Sequence, residues 1–237
     1  MECEDAYTRE KAENGKKPQK SELNEFTDSR VITFTEQEVG DVVDVEYQIQ
    51  ENEKGYFAEE YRQNTVAKED AKVIDITAFI INEETGRCRW WLYDVKKDVG
   101  GQDVIIHLCE QWKAAYLYLE NSVLNILLDN SMELKGNIGV ITRNFDTGRI
   151  QTEFEKLDET IKEMENDSKQ AVVLAKRKAG VRLPALRLTR DLLKNILNRK
   201  VSFQCSGKDM EFEFDVKIST ERSNGEYYYR FICNQDL

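Results

Sequence analysis

Two carboxylates and one amine occupy matched positions on two neighbouring segments of the chain. Residues 72–81 and 87–96 are rich in β-branched and aromatic side chains, and a turn-forming Asn-Glu-Glu-Thr-Gly sequence separates them. A four-residue hairpin turn would place Asp75 opposite Asp94, with Cβ atoms about 5 Å apart. Lys96 follows two positions later and therefore lies on the same side of its strand. The spacing predicts that the three side chains converge at one end of a β-hairpin.

The surroundings of these charged residues are apolar. Asp94 and Lys96 are in phase with Cys88, Trp90 and Leu92 along the predicted strand. A charge that continues an apolar side is costly unless it is paired or bound to a metal ion. The pattern therefore indicates either a buried Asp–Lys pair in an ordinary central hairpin or a site for a cation.

A second copy of the same triplet serves as an internal control. Asp215-Val-Lys217 lies in a segment with clear alternation, where the charged residues share one side with Glu211 and Glu213 and the other side is apolar. This alternation is typical of a half-solvated strand. We predict a structural role for the second triplet, so the side of the strand, and not the triplet alone, decides the interpretation.

The first arrangement resembles the PD-(D/E)xK nuclease superfamily, which has an Asp on one strand, an acidic-x-Lys triplet on the next, and then a helix. Asp75 matches the first position, and Asp94 with Lys96 matches the triplet. Ile74 stands where the pattern has Pro, and the triplet acid is Asp and not the commoner Glu. The resemblance covers less than half of the 237 residues and implies the order helix, strand, strand, helix, strand across residues 52–145.

The resemblance implies a restriction-endonuclease-like core and metal-dependent hydrolysis of phosphodiester bonds, with DNA as the expected substrate. The residues implied for the site are Asp75, Asp94, Lys96, Gln111 and either Glu60 or its neighbour Glu59. The acidic residues would bind Mg²⁺ or Mn²⁺. The lysine would position or help deprotonate the attacking water, and the glutamine would orient that water. By family analogy, such a protein serves in bacterial defence or mobile-element biology.

Charge is distributed unevenly along the chain. The sequence has 45 acidic and 34 basic residues, a net charge of -11, which excludes a uniformly basic nucleic-acid-binding surface. Residues 176–200, here called the basic arm, carry nine basic residues and one acidic residue. The arm either contacts nucleic-acid phosphates or neutralises the acidic remainder, and both interpretations stay open. The predicted nucleic-acid contacts are Lys176, Arg177, Lys178, Arg182, Arg187 and Arg190.

The net charge also favours an alternative function. A non-catalytic acidic interaction protein, either a degenerate nuclease fold or a nucleic-acid mimic, would bind a partner protein instead of a substrate. A partner protein or a homo-oligomer is therefore a further expectation.

Other candidate groups have simpler interpretations. His107 is the only histidine, and Cys109 two positions later on a predicted helix points to another side, so a His-based catalytic group is not indicated. Gly100-Gly101 precedes the same helix without a Walker or G-x-G-x-x-G pattern, which favours helix capping. Residues 227–229, three tyrosines, could stack bases or pack within a sheet.

The pattern along the chain predicts four segments in an α/β protein with a mixed (α+β) sheet. These are a flexible leader at 1–26, a nuclease-like core at 27–150, a helical segment with the basic arm at 151–200, and an antiparallel β-meander at 201–237 packed on the core. Helices are predicted at 103–128 and 151–178, with a break at Pro184.

Composition predicts a cytoplasmic protein without a membrane partner. No stretch reaches the roughly 20 apolar residues that cross a bilayer. The charged amino-terminal residues lack the apolar region of a secretory signal. The five cysteines are widely spaced and include no C-x-x-C pair, so neither a zinc site nor a disulfide framework is indicated.

Overall fold

The computed structural model describes residues 24–36, 40–58, 74–127, 133–170, 173–205 and 207–233, and it has the α+β class that the sequence predicts. Within these ranges there are two sheets and three helices. The strands are β1 Asn24–Phe26, β2 Arg30–Thr35, β3 Val42–Tyr47, β4 Glu53–Ala58, β5 Ile76–Asn82, β6 Arg87–Val99, β7 Glu133–Phe145, β8 Lys200–Cys205, β9 Lys208–Ile218, β10 Thr220–Glu221 and β11 Tyr227–Cys233, and the helices are α1 Gln102–Leu127, α2 Thr147–Gln170 and α3 Val173–Leu197. None of the helices in these ranges is long and apolar enough to span a bilayer.

Two mixed sheets form the framework. Sheet A has seven strands in the order β1-β4-β5-β6-β7-β9-β8, and sheet B has four in the order β10-β11-β3-β2. In sheet A, β6, β7 and β9 run parallel and the other neighbours are antiparallel. In sheet B, β3 and β11 run parallel. Because parallel neighbours need crossover connections, the long helix α1 separates β6 from β7.

Sheet A is covered on both sides. Trp90 and Leu92 of β6 pack with Trp112 of α1 in a helix-side core. The alternate residues Trp91 and Tyr93 pack against sheet B in an inter-sheet core. Successive residues of a strand point to opposite sides, and both sides of β6 are covered by a core. Its central residues therefore form an almost continuous apolar run.

The register of the β5–β6 hairpin is fixed by its turn. The Asn82 side-chain oxygen accepts hydrogen bonds from the backbone N–H groups two and three residues later, at 3.2 and 3.0 Å, and the last turn residue is a glycine with φ of 68°. The resulting pairing joins Ile76 to Tyr93. The next pair outward is Asp75 and Asp94, so the predicted four-residue turn is confirmed.

The predicted end of the leader is wrong, because Asn24–Phe26 forms strand β1. Glu53–Ala58 forms strand β4, paired with β5. The resemblance implied a helix before the hairpin, and most of the residues where it would lie are outside the described ranges, so that helix stays a prediction. Tyr56 and Phe57 alternate between the two cores, which suits a strand covered on both sides and not a helix. The last residues of the expected leader form β1 against β4, and residues 1–23 and 59–73 lie outside the described ranges.

The predicted carboxy-terminal β-meander is also wrong. β8 and β9 extend sheet A, with β9 parallel to β7, whereas β10 and β11 belong to sheet B. The apolar side of β9 carries Phe212 and Phe214, which complete the helix-side core. On β11, Phe231 and Cys233 point into the inter-sheet core. The two halves of this segment separate because their apolar sides fill different cores.

Helix α3 continues through Pro184, contrary to the predicted break. A proline inside a helix removes one backbone hydrogen bond and strains the preceding turn. Burial of Leu193 and Ile196 from the same helix in the helix-side core favours a continuous α3. Ion pairs from Arg187 and Arg190 to α2, at 2.6 and 3.4 Å, add little because they are partly exposed. Tertiary packing therefore overrides the local helix-breaking signal.

A buried ion pair fastens the two sheets together. Arg143 on β7 donates two hydrogen bonds, from Nε at 2.9 Å and Nη2 at 2.6 Å, to Oδ1 of Asp41, which immediately precedes β3. Asp41 has no exposed surface, and its Oδ2 accepts a hydrogen bond from Ser219 at 3.3 Å. The guanidinium also lies 4.0 Å from the ring centre of Tyr227. We call this group the Asp41–Arg143 clamp.

Removal of the clamp arginine should destabilise the protein strongly. Arg143→Met would leave the Asp41 carboxylate buried without its partner, and we expect the free energy of unfolding to fall by about 3 kcal/mol. Arg230→Met is the matched control, because Arg230 pairs with Glu46 at the same 2.6 Å but its side chain is 51% exposed. That control should cost less than about 1 kcal/mol. Equal losses in urea denaturation would contradict the assignment of the clamp.

Candidate functional site

Asp75, Asp94 and Lys96 lie together at one end of the β5–β6 hairpin. The Lys96 ammonium nitrogen is 2.6 Å from Oδ2 of Asp94. The backbone N–H of Val95 donates a 2.6 Å hydrogen bond to Oδ2 of Asp75. The two carboxyls are close enough that each affects the pKa of the other. The side chains that the hairpin argument placed side by side are therefore adjacent in space.

Burial distinguishes the three groups. Asp94 has no exposed surface, Asp75 is partly exposed, and the side chain of Lys96 is 28% exposed. The Asp94 carboxylate lies against the Lys96 ammonium and the Asp75 carboxyl, and both form hydrogen bonds with it. A fully buried carboxylate is costly and needs a nearby positive charge. Lys96 supplies such a charge from the more exposed side of the cluster.

The pKa values of the cluster follow from this environment. Burial and then the charge of Asp94 raise the pKa of Asp75 to about 8, against the opposing effect of the Val95 N–H. Burial also raises the pKa of Asp94. Burial lowers the pKa of Lys96, but the charge and hydrogen bond of Asp94, together with the charges of Asp75 and Glu36, raise it overall. At neutral pH the raised pKa of Asp75 favours its protonated form, beside Asp94 and the Lys96 ammonium.

Gln111 is buried on α1, with 6% of its surface exposed. The indole N–H of Trp112, the next residue, donates a 3.1 Å hydrogen bond to the carbonyl of Gly139, which is paired with Tyr93. This bond fixes α1 against the strands that carry the acids. The expected role of Gln111 at the site stays a prediction.

The acidic residues fit a divalent cation with few protein ligands. Within the described ranges, no group of three His, Cys, Asp or Glu side chains comes together as a metal site. Mg²⁺ is commonly bound by one or two carboxylates, with waters and substrate phosphate completing its coordination. Asp75 and Asp94 are the two carboxylates that could fill this role, because they are adjacent and Lys96 leaves the cluster partly open to solvent. The further ligand that the resemblance implied, Glu60 or Glu59, lies outside the described ranges.

The second triplet has the environment that its alternation predicts. Lys217 lies 2.6 Å from Asp215, the same distance as in the first triplet, but both side chains are 31% exposed. Asp215 also accepts a 2.6 Å hydrogen bond from the hydroxyl of Tyr93. The two triplets thus share sequence and ion-pair length and differ in burial.

The basic arm has mixed surroundings. Arg187 and Arg190 form ion pairs with acidic residues of α2, so they act as counter-charges within the α2–α3 hairpin. Arg182 is exposed on α3. The side chains of Lys176, Arg177 and Lys178 are not among those described. The counter-charge interpretation accounts for two of the six predicted contacts, and the phosphate-contact interpretation stays a prediction for the others.

A cavity of about 520 Å³ lies between the start of α1 and α2. Gly101, Arg149 and Lys156 are among its lining residues. The backbone N–H of Gln102 donates to the carboxylate of Glu153, which caps the helix. The sequence signal at Gly100-Gly101 therefore corresponds to helix capping, although the capping acid comes from α2, which local sequence did not reveal.

Comparison with known proteins identifies no relative. No family model matches the chain, and it matches no curated protein and no solved structure. The function must therefore be argued from the hairpin cluster and its surroundings.

The raised pKa of Asp75 predicts how stability depends on pH. The folded state holds a proton up to about pH 8, whereas the unfolded carboxyl releases it near pH 4, so the free energy of unfolding should fall as pH rises between these values. The slope should approach about 1.4 kcal/mol per pH unit. Asp75→Asn keeps an acceptor for the Val95 N–H, and it should flatten the dependence of the free energy of unfolding on pH.

This dependence can be measured by urea denaturation in EDTA between pH 5 and 8. Asp158→Asn is the control, because the hydrogen bond from Lys162 lowers the pKa of that partly exposed carboxyl. In this variant the free energy of unfolding should still fall as pH rises. A wild-type slope in Asp75→Asn would show that Asp75 does not hold the proton.

Proposed function

We propose that this protein is a divalent-metal-dependent nuclease that hydrolyses phosphodiester bonds, with DNA as its expected substrate. The single observation that supports the proposal is the meeting of two carboxyls and an ammonium at one strand end, with Asp94 fully buried and Lys96 partly exposed. Clusters of perturbed titratable groups are concentrated at functional sites. An ordinary central hairpin has no need of a second acid beside an already buried one.

Each residue would contribute in a distinct way. Asp75 and Asp94 would hold Mg²⁺ or Mn²⁺, which when bound lowers the pKa of a water molecule and offsets charge on the phosphate. The Val95 N–H fixes the Asp75 carboxyl, so one oxygen is already oriented. Lys96, the partly exposed member, would neutralise a phosphate oxygen or hold the attacking water. Gln111 would orient that water from α1.

Approach of a nucleic acid must overcome the net charge of -11. Under this proposal, local positive groups guide the phosphates: Lys96 at the site and the residues of the basic arm that are not paired with α2. Binding that depends on such contacts weakens steeply with salt.

We also place the protein in the cytoplasm, with a role in bacterial defence or mobile-element biology by analogy with the superfamily it resembles. Within the described ranges, Cys88, Cys109, Cys205 and Cys233 are buried thiols that form no disulfide, which supports a reducing compartment.

A second candidate function is that of a non-catalytic protein that binds a partner protein. The complete burial of Asp94 and the acidic composition favour it. In that case the Asp75–Asp94–Lys96 cluster would be a structural group inside the hairpin, without a cation or a substrate.

Nucleic-acid cleavage separates these functions. Supercoiled plasmid, single-stranded DNA and RNA would be incubated with the protein and Mg²⁺ or Mn²⁺. We expect Lys96→Met to reduce the cleavage rate about 100-fold or more, because it removes the group that acts on water or phosphate. Lys217→Met is the matched control, since it lies in the same triplet at the same ion-pair length. No cleavage by the wild type, or equal losses in both variants, would refute the assignment.

Metal binding can be measured without any substrate. Mn²⁺ at 100 times its dissociation constant should stabilise the folded protein by about 2.7 kcal/mol in a denaturation experiment. Asp94→Asn should abolish this gain because it removes a charged ligand, whereas Asp215→Asn should retain it. Stabilisation that persists in Asp94→Asn would place the cation elsewhere, and no stabilisation in the wild type would favour the non-catalytic function.

A further inference from the structure

Strands β6 and β7 change sides together just beyond the candidate site. On β6, Val95 packs in the inter-sheet core, whereas Val99, four positions later, packs in the helix-side core. On β7, Ile141 and Phe145 show the same change. Residues four positions apart in a regular strand point to the same side. Both strands therefore depart from regular alternation at the same height of sheet A.

A buried hydroxyl lies within this irregular stretch. Thr142 of β7 has no exposed surface, and its Oγ1 lies 3.1 Å from the carbonyl oxygen of Lys97 and 3.0 Å from that of Asn144. The hydroxyl proton can be donated to either carbonyl. The N–H of Asn144 donates a 3.3 Å hydrogen bond to the same Oγ1. Because Lys97 belongs to β6, the Thr142 hydroxyl links the two strands where they change sides.

Thr142 and the site lysine lie on the same side of sheet A. In the parallel pairing of β6 and β7, Asp94 is opposite Val140 and Lys96 is opposite Thr142. Val140 packs in the helix-side core, and residues two positions apart in a strand share a side. The Thr142 side chain therefore lies next to Lys96, on the side of the sheet that carries the acid.

The backbone beyond Lys96 has few other anchors. The next two residues, Lys97 and Asp98, are exposed, so their side chains do not fix it by packing. The Lys96 side chain itself is 28% exposed, and its long stem has many rotamers. The hydroxyl of Thr142 thus provides a fixed point from the buried side of β7, one residue beyond Lys96.

We propose that Thr142 is a positioning residue, whose hydroxyl fixes the backbone beyond Lys96 and so holds the Lys96 ammonium against Asp94. The bearing of this role on catalysis rests on the proposed function. Without the hydroxyl, the backbone at Lys96 can follow the change of sides outward, and the ammonium is drawn from its 2.6 Å contact with Asp94 into solvent. Thr142 belongs to no sequence motif, and its role depends on the pairing of two strands that α1 separates in the chain.

Chemical labelling of Lys96 tests the proposal without a metal ion or a substrate. The full chain in EDTA would be treated with N-acetoxysuccinimide, and acetylation of Lys96 quantified by mass spectrometry. We expect Thr142→Val, which keeps the branched shape and removes the hydroxyl, to raise the labelling rate of Lys96 about threefold, the size expected for loss of a partly exposed ion pair. Thr142→Ser keeps the hydroxyl and should label as wild type.

Ser219→Ala is the matched control. Ser219 is also buried, and its N–H donates to the carbonyl of Thr142, but its hydroxyl donates to Asp41 in the clamp. This variant should label as wild type at Lys96. Thr142→Ala, which also lacks the hydroxyl, takes the place of Thr142→Val if that variant does not fold. Equal labelling in wild type and the hydroxyl-free variant, or equally faster labelling in Ser219→Ala, would overturn the inference.

A double-mutant cycle on nucleic-acid cleavage gives a second readout. Thr142→Val should lower kcat about tenfold through misplacement of the ammonium, and leave the Mn²⁺ affinity unchanged. In a Lys96→Met background the same change should have no further effect on kcat, because Thr142 acts through Lys96. A tenfold loss in both backgrounds would refute the positioning role and leave the nuclease proposal in place. Faster labelling in a protein that cleaves no nucleic acid would refute the nuclease proposal and support the positioning role.

Discussion

The side-chain alternation of β6 ties both cores and the candidate site to one strand register. Trp90, Leu92 and Asp94 lie on one side of the strand, while Trp91 and Tyr93 lie on the other. A slip of one residue would send every side chain to the opposite side. The Asn82-centred turn prevents that slip by fixing the pairing of β5 with β6. The position of the acids therefore cannot change without repacking the centre of the protein.

Two aspartates within the described ranges, Asp41 and Asp94, are fully buried, and their surroundings differ. Asp41 receives two hydrogen bonds from an arginine and one from a serine, so its charge is well compensated. Asp94 is paired with a lysine that also faces solvent and is hydrogen-bonded to a second carboxyl, Asp75, and burial still raises its pKa. The first arrangement is what structural stability favours. The second places two acids side by side, which costs free energy because the charge of Asp94 opposes ionisation of Asp75.

Sequence patterns predicted the elements whose formation depends on residues close together in the chain. The β5–β6 hairpin, α1 and the half-solvated second triplet follow from alternation, turn residues and helical spacing. Those patterns did not reveal that β9 joins sheet A while β11 joins sheet B, because both strands alternate and the choice depends on which core each apolar side fills. They also misread Pro184, because burial of Leu193 and Ile196 in the helix-side core, which favours a continuous α3, is not a local signal. Sequence patterns also did not reveal that Asp94 is fully buried, because its burial depends on residues packed from other parts of the chain.

The parallel pairing of β3 with β11 constrains the order of assembly during synthesis. Val43 and Val45 of β3 emerge from the ribosome long before Phe231 of β11, their neighbour in the inter-sheet core. Contacts between segments so distant in sequence carry a large loop-closure cost and form slowly. The nascent chain must therefore carry β3 without this neighbour until Tyr227–Cys233 has been synthesised. Apolar surface exposed during that interval favours aggregation.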